Sequence, residues 1–330
     1  MLILAKAVLS MMIGFIISVA LGAVVIKIMR RNNVKQKVST YLEKRHQEKD
    51  GTPTMGGIIF IIPAIITTLI LILTGKLEMT YNLGIVMFVF ISYAILGFID
   101  DYLIIKRGNN LGLTEFQKLA GQIVIALIFF FLYMKSGAEP VIDITSLGIK
   151  IHMGWLYGIF LLFVLVASSN AVNITDGLDG LAGGLSLIAF LTLGLISWNA
   201  GGIDGTSDIA VFCFILVGTL LGFLFYNTHP AKIFMGDTGS LSLGATIASV
   251  AMITKHELTF IVIMGVFIFE TLVCIIQTVS MVCFKRKVFL MTPFHHHLEK
   301  LGWHERDIVK VLWVVGLLLS MSAIIFGVWL

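Results

Sequence analysis

Long runs of apolar residues constrain this chain more than any other feature of its sequence. Several of them reach the roughly 17–25 residues that a helix needs to cross the hydrocarbon core of a bilayer. Charged residues make up 13% of the 330 residues, about half the share in a typical soluble domain. The sequence therefore predicts an all-α polytopic membrane protein with one domain over residues 1–330.

Ten segments are predicted to span the membrane, which places both termini on the same side. Their approximate limits are 7–29, 54–74, 82–99, 118–135, 155–171, 180–198, 209–226, 238–254, 258–283 and 308–329. The ninth is long and contains Glu270 and Gln277, so a bend or a protrusion is expected there.

Positive charge in the loops predicts the orientation. The loops on one side are 30–53, 100–117, 172–179, 227–237 and 284–307. With Lys118 and Lys310, that side holds 17 Lys or Arg residues, against five on the other side. By the positive-inside rule, the first side faces the cytoplasm and both termini lie outside. The net charge of +4 is therefore interpreted as a topology signal, and no nucleic-acid partner is predicted.

Aspartates gather at the cytoplasmic ends of the predicted spans. Asp100 and Asp101 end the third span, Asp176 and Asp179 precede the sixth, and Asp237 precedes the eighth. At the centre of a membrane helix an Asp costs about 2.5–3.5 kcal/mol on insertion scales, and an interfacial position avoids most of this cost. Acids at a helix C-terminus oppose the helix dipole, so a functional role for the first pair is favoured over two solvated side chains.

The second, fourth, sixth and eighth spans are all predicted to begin at the cytoplasmic face. Their free N–H groups and positive dipole ends favour a bound phosphate. Carboxylates in the same region favour a hard divalent cation, Mg²⁺ first, that bridges to phosphate oxygens. Helix capping is the alternative interpretation of Asp176 and Asp237. The pattern predicts phosphate and a metal, but no particular substrate.

Three consecutive histidines, His295, His296 and His297, lie in the last cytoplasmic loop. Zinc ligands usually have spacings that let them converge, and no Cys lies near these residues. Contact with phosphate or sugar and bracing of the acidic site are favoured over a zinc site or a solvated loop. The choice between those two roles stays open.

These motifs resemble those of the polyprenyl-phosphate N-acetylhexosamine-1-phosphate transferases over almost the whole chain. The matching runs are 51–57, 100–101, 173–180 and 236–240. The run 293–299 is similar to the branch that uses UDP-MurNAc-pentapeptide, whereas relatives that use UDP-GlcNAc usually interrupt the histidines.

The resemblance implies transfer of phospho-MurNAc-pentapeptide from UDP-MurNAc-pentapeptide to undecaprenyl phosphate, which gives lipid I and UMP in the first membrane step of peptidoglycan synthesis. It also implies Mg²⁺, a homodimer and a bacterial cell membrane, with the active site facing the cytoplasm. Direct attack by the lipid phosphate and a two-step route through a covalent aspartyl intermediate both stay open. A GlcNAc-1-phosphate transferase is the nearest alternative. A secondary transporter is disfavoured because transporters place ionisable residues near the membrane midplane.

Roles for individual residues follow from the resemblance and from the needs of phosphoryl transfer. Asp237 is assigned to Mg²⁺, with Asp100 and Asp101 as alternative ligands, while Asp100 also positions the lipid phosphate. Lys118 neutralises phosphate charge, and His295 and His296 contact phosphate or sugar, which completes the predicted catalytic set. The predicted substrate-binding residues are Lys49, Thr54, Asn173, Asp176, Asp179, Asn227, Phe234, Gln277 and His297. Phe234 is predicted to stack on uracil, with ordinary packing as the alternative.

Overall fold

The computed structural model describes residues 2–31, 51–107, 111–144, 149–199 and 206–325. Lys49, one of the predicted substrate-binding residues, lies outside them. The helices are α1 Leu2–Arg31, α2 Ile58–Leu73, α3 Tyr81–Arg107, α4 Glu115–Lys135, α5 Leu156–Thr175, α6 Leu181–Asn199, α7 Thr206–Asn227, α8 Gly236–Ile253, α9 Glu257–Ile263, α10 Gly265–Val279, α11 Phe294–Lys300 and α12 Glu305–Ile324. Two short antiparallel strands, β1 Val141–Ile144 and β2 Ile149–His152, form a hairpin between α4 and α5.

The fold is that of a mostly helical polytopic membrane protein. In the described part of the chain, eight helices are long and apolar enough to cross a membrane. Each of the ten predicted spans overlaps one or more helices. This overlap does not establish all ten predicted spans. Helix α2, for example, has only 16 residues and is shorter than the eight helices that are long enough to cross a membrane.

Helices α7 and α8 form the centre of the bundle. Nearly every residue of α8 is buried, and this helix packs against α3 and α5, while α7 packs against α1 and α6. Small residues dominate α8, which lets neighbouring helix backbones approach closely, as they do inside membranes. Hydroxyl groups are satisfied locally or across helices: Ser242 donates to the carbonyl of Phe90 at 2.8 Å.

The predicted ninth span is interrupted in the structure. Helix α9 ends at Ile263 and α10 begins at Gly265, and a π-helical turn, Ser280–Phe284, follows α10. Beyond the turn the chain passes into the short helix α11, which contains the three histidines. The chain after the π-helical turn places the histidine segment against α10, where the N–H of Phe294 donates to Glu270.

Candidate active site

Three carboxylates from two different helices meet at one end of the bundle. Asp100 and Asp101 belong to α3, and Asp237 lies in the first turn of α8. Each offers an oxygen within 4.8 Å of the others. The close crossing depends on Gly97, since a Cβ at that position would lie 2.1 Å from the carbonyl oxygen of Asp237. The crossing of α3 with the start of α8 therefore assembles a group of carboxylates of the kind that can hold a metal ion.

Asp101 is fully engaged by the protein itself. One carboxylate oxygen accepts the N–H of Asp237 at 3.1 Å, and the other accepts the N–H and the hydroxyl of Thr238 at 2.9 and 2.6 Å. These N–H groups belong to the first turn of α8, which would otherwise lack partners. Asp101 therefore holds α8 in place and presents Asp237, and it has less capacity left for a ligand than its neighbours.

Lys118 bridges the other two carboxylates. Its ammonium group contacts Asp237 and lies 3.2 Å from an oxygen of Asp100. Asp100 also accepts the N–H of Leu113 at 2.7 Å, and Thr114 begins α4 with a capping box that fixes the first turn of this helix. The Lys118 and Asp237 side chains are about one-fifth exposed, whereas Asp100 is buried. Access to the cluster is therefore from the side of Lys118 and Asp237.

The C-terminal end of α5 and Asp176, the residue that follows it, line the same cluster. Asn173 donates from its amide nitrogen to Asp237 at 2.7 Å and to the hydroxyl of Ser240 at 2.9 Å. Asp176 follows the helix directly. Burial raises the pKa of Asp176 to about 8, and the negative charges of Asp237 and Asp101 add to the effect. Negative charge in this region is therefore in excess, which a bound cation would relieve.

A second group of potential metal ligands comprises Asp179, His229 and Glu305. His229 Nδ1 lies 3.0 Å from Asp179 and 3.3 Å from Glu305. The N–H of Asp179 donates to Glu305 at 2.7 Å. The sequence patterns predict no role for His229 or Glu305, and the position of Glu305 in the first turn of α12 is the one local signal that points to it. This network ties α12 to the loop before α6.

Asn227 braces two of the site loops. Its oxygen accepts the N–H of Gly180 at 3.1 Å, and its amide nitrogen donates to the carbonyl of Ile233 at 2.9 Å. Both bonds lie within the protein core, because Asn227 is buried. The residue therefore contributes to the site by holding these loops in register.

Thr54 and Phe234 lie on two loops that pair with each other. The N–H of Phe234 donates to the carbonyl of Pro53 at 2.8 Å, and the N–H of Gly56 donates to the carbonyl of Phe234 at 2.7 Å. Thr54 is buried and Phe234 is partly exposed. The pairing joins the start of α2 to the start of α8, as the predicted convergence of helix N-termini requires.

The three histidines point to different neighbours. His295 is buried, and its ring lies against Gly177. His296 Nδ1 is 2.6 Å from a Glu299 oxygen, and His297 Nδ1 accepts the N–H of Leu290 at 3.1 Å. Gln277, also a predicted substrate contact, accepts the N–H groups of residues 288 and 289. His297 and Gln277 thus hold the segment between α10 and α11, whereas His295 faces the acidic site.

The donor set around Asp237 suits Mg²⁺. This ion prefers oxygen ligands and is usually held by one or two carboxylates together with substrate phosphates. Asp237 and Asp100 present carboxylate oxygens of this kind within 4.8 Å of each other, and the Lys118 ammonium contacts both of them.

Comparison with known proteins identifies the family to which the chain belongs. Residues 83–255 match the model of glycosyl transferase family 4, and residues 49–61 match signature 1 of the phospho-N-acetylmuramoyl-pentapeptide-transferases. The chain is 47% identical to the phospho-N-acetylmuramoyl-pentapeptide-transferase of Geobacillus thermodenitrificans over 98% of each chain. It is 43% identical to the Bacillus subtilis protein of the same name, over 97% of this chain and 98% of the relative. The chain therefore belongs to the phospho-N-acetylmuramoyl-pentapeptide-transferase family.

Proposed function

We propose that this chain transfers phospho-MurNAc-pentapeptide from UDP-MurNAc-pentapeptide to undecaprenyl phosphate, with lipid I and UMP as products. The observation that carries the proposal is the cluster of Asp100, Asp237 and Lys118 at one end of a membrane helix bundle. Relatives that align over nearly the whole chain carry the name of this transferase. Those names favour it over a GlcNAc-1-phosphate transferase, and a cluster at helix ends favours it over a secondary transporter.

In the proposed reaction an oxygen of the lipid phosphate becomes bonded to the phosphorus that bears the sugar, by direct attack or through a covalent aspartyl intermediate. The bond from that phosphorus to the bridging oxygen breaks, and UMP leaves with this oxygen. Asp100 positions the lipid phosphate, and Lys118 neutralises phosphate charge next to Asp237. Bound Mg²⁺, held by Asp237 and Asp100, would neutralise the pyrophosphate and make UMP a better leaving group. Positioning and charge neutralisation are what phosphoryl transfer requires.

The remaining predicted residues are divided between ligand contact and support. Asn173 and Asp101 orient Asp237, so their proposed effect on the reaction is indirect. For Asp176, Asp179 and Phe234, the proposed role is to bind uridine and its ribose. His295 and His296 keep the proposed contact with phosphate or sugar.

The proposed setting is a bacterial cell membrane, crossed ten times, with both termini outside and the site at the cytoplasmic face. The excess of Lys and Arg in the loops on the side of the acids supports this orientation. Such a site lets a water-soluble nucleotide sugar and a lipid phosphate meet without either one crossing the bilayer. A homodimer is proposed from the family resemblance.

Release of UMP by the purified protein tests the function. We expect release only when UDP-MurNAc-pentapeptide, undecaprenyl phosphate and Mg²⁺ are all present, and loss of release in EDTA. UDP-GlcNAc is the control donor, and release with it alone would assign the chain to GlcNAc-1-phosphate transfer. If a protein shown to be folded released no UMP with either donor, the proposal would be contradicted.

A further inference from the structure

Glu270 is a fully buried carboxylate within α10 that the proposed reaction does not use. One of its oxygens accepts the N–H of Phe294 at 2.6 Å and the N–H of His295 at 3.3 Å. These are the first two residues of α11, where the preceding Pro293 provides no side-chain cap. A carboxylate from another helix therefore supplies the acceptor that the start of α11 needs.

The same carboxylate oxygen also lies beside the imidazole of His295. His295 Nδ1 is 3.3 Å from it. On the other side of the ring, a Cβ at Gly177 would lie 2.3 Å from His295 Nε2, so only glycine leaves room for the ring there. His295 is thus enclosed between Glu270 and the segment that carries Asp176.

The ring of His295 is buried, yet its two nitrogens make no hydrogen bond to the described residues. Among the described residues, neither ring nitrogen has a hydrogen-bond partner, and one oxygen of Glu270 also lacks one. A charged group inside an apolar bundle is costly unless it is paired. Within the described residues, the hydrogen bonds of Glu270 run to the backbone of Phe294 and His295.

We infer that Glu270 is a positioning residue, which acts on the reaction by holding His295 against Gly177 beside the acidic site. The inference rests on the proposed function, because activity is its main readout. A residue that only stabilised the bundle would act independently of His295, and this difference can be measured.

The test is a double-mutant cycle with Glu270→Ala, His295→Ala and the double variant, measured as UMP release. We expect Glu270→Ala to lower kcat about 10–100-fold, with KM for the nucleotide substrate within about twofold. On the His295→Ala background the same change should cost less than about twofold, since its effect passes through His295. Glu270→Gln keeps an oxygen acceptor and should retain at least about a tenth of the wild-type kcat.

The matched control is Glu257→Ala. Glu257 is also buried and accepts the hydroxyl of Tyr157 at 2.7 Å, but it lies beyond the end of α8 opposite Asp237. We expect this variant to lose thermal stability but to keep kcat within about threefold. An equal loss of kcat in Glu257→Ala would overturn the inference, as would a full additional loss from Glu270→Ala on the His295→Ala background.

Hydrogen exchange gives a second readout for the case in which His295→Ala is inactive. Glu270→Gln, or Glu270→Ala if it is stable, should speed amide exchange in the peptide that contains residues 290–300 and leave the peptide around Asp237 unchanged. Unchanged exchange in residues 290–300 would overturn the inference. A wild-type protein without UMP release would instead contradict the proposed function, while the exchange result would still report on Glu270.

Discussion

At the scale of single residues, the three central aspartates differ in how much of each carboxylate the protein already uses. Asp101 accepts three hydrogen bonds from the first turn of α8. Asp237 contacts Asn173 and Lys118 and is the most accessible of the three. The sequence alone predicts that the three aspartates lie near helix ends. Which carboxylate supports the site and which one is free to react depends on contacts between helices.

Asp237→Asn is expected to reduce UMP release at least about 10³-fold. The substitution removes the negative charge opposite Lys118 and weakens the proposed metal site while it keeps the side-chain shape. Asp307→Asn is the matched control, because Asp307 is an exposed residue that faces Lys310 at 3.6 Å, and its activity should stay near wild type. Wild-type activity in folded Asp237→Asn would refute the metal assignment.

The raised pKa of Asp176 predicts a pH dependence of stability in metal-free protein. Its pKa is about 8 in the folded state, against an ordinary value of 3.8. The folded state therefore holds a proton that the unfolded state has released, so this contribution to stability is lost as pH rises towards 8. Asp176→Asn removes the ionisation.

Thermal unfolding in EDTA, followed at several pH values, measures this effect. The melting temperature of Asp176→Asn relative to wild type should increase between pH 3.8 and about 8. Asp307→Asn, a surface substitution outside the acidic site, is measured in parallel as the control. A flat difference for Asp176→Asn would show that Asp176 ionises normally.

At the scale of the elements, the site depends on the crossing of α3 and α8. Gly97 and Gly84 lie in the same helix, yet a Cβ at Gly97 would meet the backbone of Asp237, whereas a Cβ at Gly84 would have no heavy atom within 4 Å. Both glycines have the same intrinsic helix propensity, so the local sequence does not distinguish them. Only the packing of the helices does.

Gly97→Ala is expected to displace the end of α3 from α8 and to lower kcat by about 100-fold, because misplacement by about 1 Å has effects of this size. Overpacking should also cost about 1–3 kcal/mol of stability. Gly84→Ala is the control, and it should leave both quantities near wild type. UMP release and thermal unfolding measure them, and equal behaviour of the two variants would contradict the proposed dependence on this crossing.

At the scale of the whole molecule, the N-terminal ends of α2, α4 and α8 and the C-terminal end of α5 meet on one face. Contacts between residues far apart in sequence join them, including Gly56 with Phe234 and Lys118 with Asp237. The proposed orientation puts this face in the cytoplasm and the β1–β2 hairpin outside.

Labelling of introduced cysteines tests that orientation. In a background without the native cysteines, Lys150→Cys should react with a membrane-impermeant maleimide in intact spheroplasts, because Lys150 is exposed in the hairpin. Lys300→Cys, exposed at the end of α11, should react only after the membrane is opened. The reverse pattern would invert the proposed topology.

The sequence by itself determined the class of fold and the positions of the helices. The hydrophobic length of a membrane helix can be read from the helix's own sequence. The motifs at residues 100–101, 173–180 and 236–240 can likewise be read from short stretches of the chain. A bend in the ninth span was expected, but its position at Met264 was not, and neither were the capping of α8 by Asp101 and the enclosure of His295 by Glu270 and Gly177. Only the tertiary structure decided them, because a buried polar group takes whatever partner the packing of distant helices brings within hydrogen-bonding distance.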